Sequence, residues 1–522
     1  MSTSVTPGRP APAPPKASPP RPRTRLGGVT RSARAAVGRI PRAGRVCFVL
    51  AFVNAAIWGV VVPPFQVPDE IAHFGYAQYL AETGKLPPQR IVPPYSEQEQ
   101  ITLEHLNFFS VIGRTEQRGI LTDEEQRALE AAQATHPSPV GLGGQTSITN
   151  QPPLYYALEA IPYWLSPSHN ILTRLALMRL LSALMAALTV LTVFLFLREL
   201  LPGSPWSWTV GALALAFQPT FDFIAAGVHP DNLLFLTSSL TFLILLRAYR
   251  RGLTRHRAFA LGAVVAAGAL TKLTFVALLP GVAVAVLLLA WRARAAGPRR
   301  AIGPLAIAVC TAAVPVLLYG LLNVIAWHRG SPAAGGIQGA TISSVPGGAV
   351  TLHETLDYTW ELYLPRLWFM HHNFFGTYPL WTTWFNGLIG RFGWVDYGFP
   401  GWVYSDARYV MYGLVAMALV ALVRYRRRIW PVAPIFACFA LMTLGLLGAI
   451  GYAGIRFQLR TGFEFAQARY LLPLAPLYGL FVVLAARGAG RRWAPALGAA
   501  LVVLAMAHSL FAETLTISRY YG

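Results

Sequence analysis

Just after the first long apolar run the chain reads Pro63-Pro-Phe-Gln-Val-Pro-Asp-Glu-Ile-Ala-His-Phe-Gly-Tyr. Pro68 suits the first turn of a helix, and Asp69 and Glu70 stand where the positive end of a helix dipole favours acids. His73 follows Asp69 by four residues and Glu70 by three, spacings that bring all three side chains within reach of one point on a helix. Two carboxylates and an imidazole at one point suit proton abstraction or the holding of a divalent cation. A plain helix start, with an acid pair and an exposed histidine, is the alternative.

Two further clusters carry polar groups. Asn150-Gln-Pro-Pro-Leu-Tyr-Tyr opens a short apolar segment, where paired prolines fix the entry into a helix and tyrosines suit the headgroup level of a bilayer. Gly227-Val-His-Pro-Asp-Asn-Leu lies between two apolar runs, and its Asp231 and Asn232 either cap the next helix or face a site. Lys272 in Leu270-Thr-Lys-Leu-Thr-Phe, Arg456 in the loop before the tenth helix, and Arg469 in Gln467-Ala-Arg-Tyr-Leu-Leu-Pro are cations at outer helix ends. Cations there run against the positive-inside pattern. They either snorkel to headgroups or gather to bind a lipid phosphate.

The elements that position these residues follow from composition. Of 522 residues 54% are hydrophobic and 12% charged, and the mean hydropathy is +0.46, which excludes a water-soluble surface. The net charge of +21 is not a nucleic-acid face, because 10 of the 43 basic residues lie in the Pro-rich stretch 1–45 and most others cluster between apolar runs. Cys47, Cys310 and Cys438 lie within or beside apolar runs and read as small buried hydrophobes.

A bilayer core takes about 20 apolar residues per helix. On that measure spans fall at 46–62, 171–197, 207–226, 231–249, 258–271, 274–291, 301–325, 409–423, 430–452, 469–486 and 494–511, about 11 in all. The clusters around Arg247 to Arg257, Arg292 to Arg300, Arg424 to Arg428 and Arg487 to Arg492 then share one side with the N-terminus. Residues 152–165 are too short to cross, and counting them as a span would invert every later cluster. They lie at the interface or re-enter. The fold class expected is an all-α integral membrane protein with two large extracytoplasmic loops, 65–170 and 326–408. A disordered, basic, Pro-rich cytoplasmic tail (1–45) precedes a polytopic domain (46–511), and a short outer tail (512–522) follows. Twelve of the 22 acids fall in the first loop, where Ser96 to Ala134, with a capping box at Thr122, reads as a solvated helical insert.

No GxxxxGK[ST] loop, Rossmann GxGxxG, HExxH or GxSxG elbow is present, which leaves nucleotide hydrolysis and serine or zinc hydrolysis without support. The order of features instead resembles the GT-C superfamily of polytopic glycosyltransferases: Asp69-Glu70 after helix one, Gln151-Pro-Pro-Leu-Tyr-Tyr at a juxtamembrane helix, Leu270-Thr-Lys mid-chain, and Ala468-Arg-Tyr-Leu-Leu-Pro opening a late helix. The Pro-Asp-Glu-x-x-His-Phe form is similar to that of a bacterial membrane-protein family within it. The resemblance covers roughly residues 46 to 511.

What the resemblance implies is transfer of a sugar from a polyprenyl-phosphate-linked donor to an extracytoplasmic acceptor (glycan, lipid or protein) in the plasma membrane, with no nucleic-acid partner. Asp69 takes the role of acceptor-activating base, with Glu70 as understudy or metal ligand and His73 beside them. Lys272, Arg469 and Arg456 would hold the donor phosphate. Gln151, Tyr155, His229, Asp231 and Asn232 would line the substrate pocket, with Asp231 the best match to a second acidic motif and Asp222 a poorer one. No cofactor is certain, and a divalent cation (Mg or Mn) is the one that the acids suggest. Trp381, Trp384, Trp394 and Trp402 either stack on sugar rings or form an interfacial belt. A transporter or flippase of an envelope precursor, and a noncatalytic envelope-assembly protein, are the competing classes. The first is disfavoured by the lack of a detectable inverted repeat.

Overall fold

The computed structural model describes residues 40–88, 95–119, 121–141, 146–295, 297–325, 351–370, 379–461 and 466–522. The expected basic tail falls outside them as far as residue 39, as do residues 326–350 and 371–378 of the expected second outer loop. Helix α1 (Arg42–Val61) carries the first apolar run and ends before Pro63-Pro64, which lack backbone donors. Phe65 and Asp69, both at positive φ, turn the chain into α2 (Glu70–Thr83), so Pro68 precedes the helix rather than opening its first turn. Helices α3 (Glu97–His105) and α4 (Asp123–Ala134) each start with a reciprocal capping box, Ser96 with Glu99 and Thr122 with Glu125. The acidic insert is not wholly solvated as expected: Gln98, Glu99 and Thr102 of α3 are buried.

Helix α5 (Leu154–Leu165) has 12 residues, too few to cross a bilayer, in agreement with the charge pattern. Helix α6 (Ile171–Leu200) is capped by the Asn170 side chain. The expected span 207–226 is two helices, α7 (Pro205–Ala216) and α8 (Pro219–Ala225), because Pro219 cannot continue the α7 hydrogen-bond ladder. Then come α9 (Asp231–Arg251), α10 (Arg255–Thr271), a 3-10 turn at Leu273–Leu278, α11 (Leu279–Arg294), α12 (Pro298–Ile325), α13 (Leu352–Tyr363) and α14 (Asn386–Gly390). An antiparallel hairpin of β1 (Arg391–Phe392) and β2 (Tyr397–Gly398) leads to α15 (Gly401–Ile429) and α16 (Ala433–Thr461). A 3-10 turn at Ala468–Leu474 opens α17 (Ala475–Gly488), and α18 (Gly490–Tyr521) continues through the segment expected as a short tail.

Eight helical stretches among the described residues are long and apolar enough to cross a membrane, one of them the 57-residue Gly401–Phe457, which turns at Trp430–Val432. The 17-residue α10 and the broken pair α7 and α8 are the expected spans outside that set. The chain is an all-α membrane protein, and the eight stretches hold nine of the eleven expected spans, because Gly401–Phe457 contains two of them. One apolar cluster runs through α1, α6, α9, α16 and α17, and a second joins α2, α3, α5 and the start of α6. A Cβ on Gly211 of α7 would stand 2.7 Å from the Gly479 carbonyl of α17, a backbone approach that only small residues permit.

The helices run between two chemically different ends. Asp231 opens α9 and bonds Lys272, which follows α10, while Arg469 stands in the turn that opens α17. At the far ends of α9, α11, α15 and α17 lie Arg250 and Arg251, Arg292 and Arg294, Arg426 to Arg428, and Arg487.

Candidate active site

Asp69 occupies the N-cap of α2 with φ +64°, yet its side chain makes no capping hydrogen bond. Its Oδ2 instead accepts from Arg469 Nη2 at 2.9 Å. A capping aspartate turns its oxygen toward the first free N–H groups of its helix, so the plain helix-start explanation fails at this residue. Arg469 is buried, and its Nη1 donates to His229 Nε2 at 3.1 Å. A guanidinium only donates, so Nε2 offers its lone pair and the ring proton is assigned to Nδ1. In that tautomer Nδ1–H points to Asp231 Oδ2, 3.4 Å away, and the Asp231 N–H, 3.1 Å from Nδ1, finds an acceptor there only in the other tautomer. Asp231 Oδ1 accepts from the Lys272 ammonium at 2.6 Å. Neither Asp231 nor Asn232 caps α9 through its side chain; Pro230 holds the cap position.

His73 meets His229 edge-on, with ring centroids 4.5 Å apart, and its Nδ1 lies 2.9 Å from the Tyr156 hydroxyl. Tyr156 stacks on Tyr76 at 3.7 Å, and the Tyr76 hydroxyl donates to the Gln151 carbonyl. Gly227 lets this loop pass close to the turn before α2, since a Cβ there would stand 2.6 Å from the Val67 side chain. Among the cluster's ion-paired groups Asp69 is the most open, its side chain 34% exposed against 6% for Arg469, 2% for Asp231 and 15% for Lys272. A small crevice opens beside Arg469, lined among others by Pro68, Thr220, Thr383, Arg391 and Gln467.

Burial favours the neutral form of every group here, and the neighbours decide which stay charged. At Asp69 burial raises the carboxyl, but Arg469, His73 and Lys272 together outweigh it and hold it below the ordinary carboxylate value. Burial drives His73 down to about 3, helped by Lys272 and Arg469 and opposed by Asp69. His229 is driven well below its ordinary value by burial, then by His73, Arg469 and Lys272. The site thus holds two neutral imidazoles beside two carboxylates, each paired with one cation.

Four expectations change. Glu70 does not join Asp69: it is fully buried, and both oxygens accept from Arg179, at 2.8 Å from Nε and 2.6 Å from Nη2. Arg179 also bonds the Gly59, Val62 and Pro63 carbonyls, and Val228 N–H donates to Glu70. The pair therefore ties the end of α1, the start of α2 and the loop before His229 together. Tyr155 turns away to bond Ser182, because consecutive helical residues point about 100° apart, and Tyr156 reaches His73 in its place. Asn232 donates to the Ile224 and Gly227 carbonyls and closes its own loop. Arg456 belongs to α16, not to a loop, since that helix outruns its apolar stretch, and it bonds Tyr452 four residues earlier.

Gln151 enters only through its carbonyl, and Asp222 is buried and accepts from Asn54. Trp384 is buried and donates to the Leu362 carbonyl, which removes it from the aromatic surface. Of two residues that the sequence reading passed over, Tyr156 joins the cluster through His73, and Arg179 holds Glu70 apart from it. A charged residue inside an apolar helix calls for a partner, and that was the signal for Arg179.

Asp69, His73 and His229 each bring one ligand-type atom within 4.8 Å of the others. Two imidazoles and a carboxylate favour Mn, Fe, Co or Zn over Mg. Residues 52–478 match the family model described as "Predicted membrane protein (DUF2142)". The chain belongs to this family. No curated protein matches it. Among solved structures, this member of the family is similar to the Archaeoglobus fulgidus oligosaccharyltransferase in the apo form, at 13% identity and a TM-score of 0.40 over 91% of this chain and 56% of that one. The same enzyme tethered with an acceptor peptide containing the NVT sequon gives 12% identity and 0.40, over 91% and 55%. Arabinosyltransferase EmbB from Mycobacterium smegmatis gives 14% and 0.37, over 91% and 41%. The chain spans about half the length of these structures. At such identities and TM-scores the likeness by itself says nothing of substrate or reaction.

Proposed function

We propose that this protein is a GT-C-type membrane glycosyltransferase that moves a sugar from a polyprenyl-phosphate donor to an acceptor hydroxyl on the extracytoplasmic side, with inversion. The observation that carries the reading is the Asp69 to Arg469 pair: a half-open carboxylate, released from capping, joined to a buried cation at a helix opening. The separation of this cluster from the arginine-rich helix ends supports an outward-facing site, since nucleotide sugars are cytoplasmic and the donor then has to arrive through the membrane.

In the reaction the acceptor oxygen attacks the anomeric carbon, the bond from that carbon to the phosphate oxygen breaks, and polyprenyl phosphate departs with the electron pair. The hydroxyl proton passes to Asp69. Arg469 and Lys272 stabilise the charge that develops on the departing phosphate. Arg469 makes the two halves consecutive. At rest it weakens Asp69 as a base, and when a donor phosphate draws on the same guanidinium the carboxylate regains affinity for a proton.

The test is purified protein with a radiolabelled polyprenyl-phosphate sugar, wild type beside Asp69→Asn. Transfer to added acceptors or donor hydrolysis in the wild type, lost in the variant, supports the reading. Equal turnover in both removes Asp69 as base. Movement of unaltered solute across vesicles with no chemistry replaces the enzyme by a transporter.

A further inference from the structure

From the bonds that Arg469 makes, we infer that its guanidinium occupies the place a divalent cation would take among Asp69, His73 and His229, so that the wild-type cluster excludes such an ion and works with Arg469 in its stead. Two of the three residues able to ligate a metal are already engaged by this one side chain: Asp69 Oδ2 at 2.9 Å and His229 Nε2 at 3.1 Å. These are charge-assisted bonds from a planar fork, which fixes its acceptors in direction as well as distance. The third, His73, holds the Tyr156 hydroxyl at 2.9 Å through Nδ1.

Charge gives the same answer. Asp69 with Arg469 and Asp231 with Lys272 already sum to zero. A divalent ion added beside them would leave a net charge of two in surroundings where His229, Asp231 and Arg469 are all buried, and its repulsion from the guanidinium would be little screened. The cation that the acids suggest in the sequence therefore does not fit alongside Arg469 as the side chains stand. The ligand geometry is latent: take the guanidinium away and a carboxylate with two imidazoles is left, a facial set that transition metals bind.

The inference concerns the cluster alone and does not depend on the sugar transfer proposed above, because metal binding is read without any substrate. Full-length protein in detergent is titrated with Co²⁺, followed by its visible absorption, and with Mn²⁺, followed by its paramagnetic resonance. Wild type is expected to show no stoichiometric site. Arg469→Met, of similar length but with neither charge nor donor, is expected to bind one ion at least about a hundredfold more tightly, the gain from removing two charge-assisted bonds. Adding His229→Ala should abolish it. Arg469→Gln is read in its place if the methionine variant does not fold. The inference is overturned if wild type binds one ion in a His229-dependent way, or if both Arg469 variants fold and neither gains a site.

Discussion

Arg179→Met offers the sharpest test of how the site is held. In the folded protein Arg179 gives Glu70 two bonds and three carbonyls of the α1 terminus one each, and Glu70 is left with only the Val228 N–H when the guanidinium goes. Removing one member of a buried pair costs about 3–5 kcal/mol, since the survivor stays desolvated or takes up a proton. The carbonyls that lose a donor add about 1 kcal/mol if water does not reach them. A loss of about 4–6 kcal/mol is therefore expected. Arg179→Lys, one ammonium in place of a planar fork, cannot serve five acceptors and should lose about 2 kcal/mol. Reversible unfolding in mixed micelles, followed by tryptophan fluorescence, measures both. The double variant Glu70→Gln with Arg179→Met removes the stranded charge and should recover about 2 kcal/mol of the single-variant losses as coupling. A loss under about 1 kcal/mol for Arg179→Met, or additive single losses, would refute the clamp.

Asp69→Asn should reduce transfer roughly a hundred- to ten-thousandfold and lower the unfolding midpoint, because buried Arg469 loses its charged partner, measured by turnover and thermal melting side by side. Lys272→Ala and Arg469→Ala should raise the KM for donor more than that for acceptor; unchanged donor KM in both would dismiss them as phosphate ligands. Glu99 sets a pH dependence. Burial raises its carboxyl from 4.5 to about 8 against two hydrogen bonds from Ser96. The folded chain thus keeps a proton that the unfolded chain releases, and its contribution is full below about 4.5 and lost as pH climbs through about 8. Glu99→Gln retains the capping box with Ser96 and should flatten the fall in stability between those limits. An equal slope in both proteins would show that Glu99 is ionised in the fold.

Apolar length and basic clusters carry the helical architecture in the sequence, because bilayer thickness and charge asymmetry act on runs of residues. The same bookkeeping places α5 outside the spans. It misses the break at Pro219, since a hydropathy window averages over one proline. At the site, Asp69, His73, His229, Asp231, Lys272 and Arg469 stand out one motif at a time, each as an acid, imidazole or cation at an outer helix end. Their pairing does not. Arg179 meets Glu70 across 109 residues from inside an apolar run, and no local pattern distinguishes Glu70 from its neighbour Asp69. Whether Tyr155 or Tyr156 faces His73 depends on the rotation of α5, which packing against α2 and α6 fixes. Arg456 and Trp384 look available in the sequence because their partners, Tyr452 and the Leu362 carbonyl, are ordinary groups.

The left-handed backbone at Asp69 has an evolutionary cost. With φ at +64° the residue adopts a conformation that glycine enters freely and that asparagine and aspartate enter more readily than most. Glycine at this position would relax the turn and at the same time take away the carboxylate that Arg469 holds, so what the backbone gains is set against a lost ion pair. Homologues that carry glycine here would keep the turn without the proposed base, and their activity would be a natural trial of that proposal.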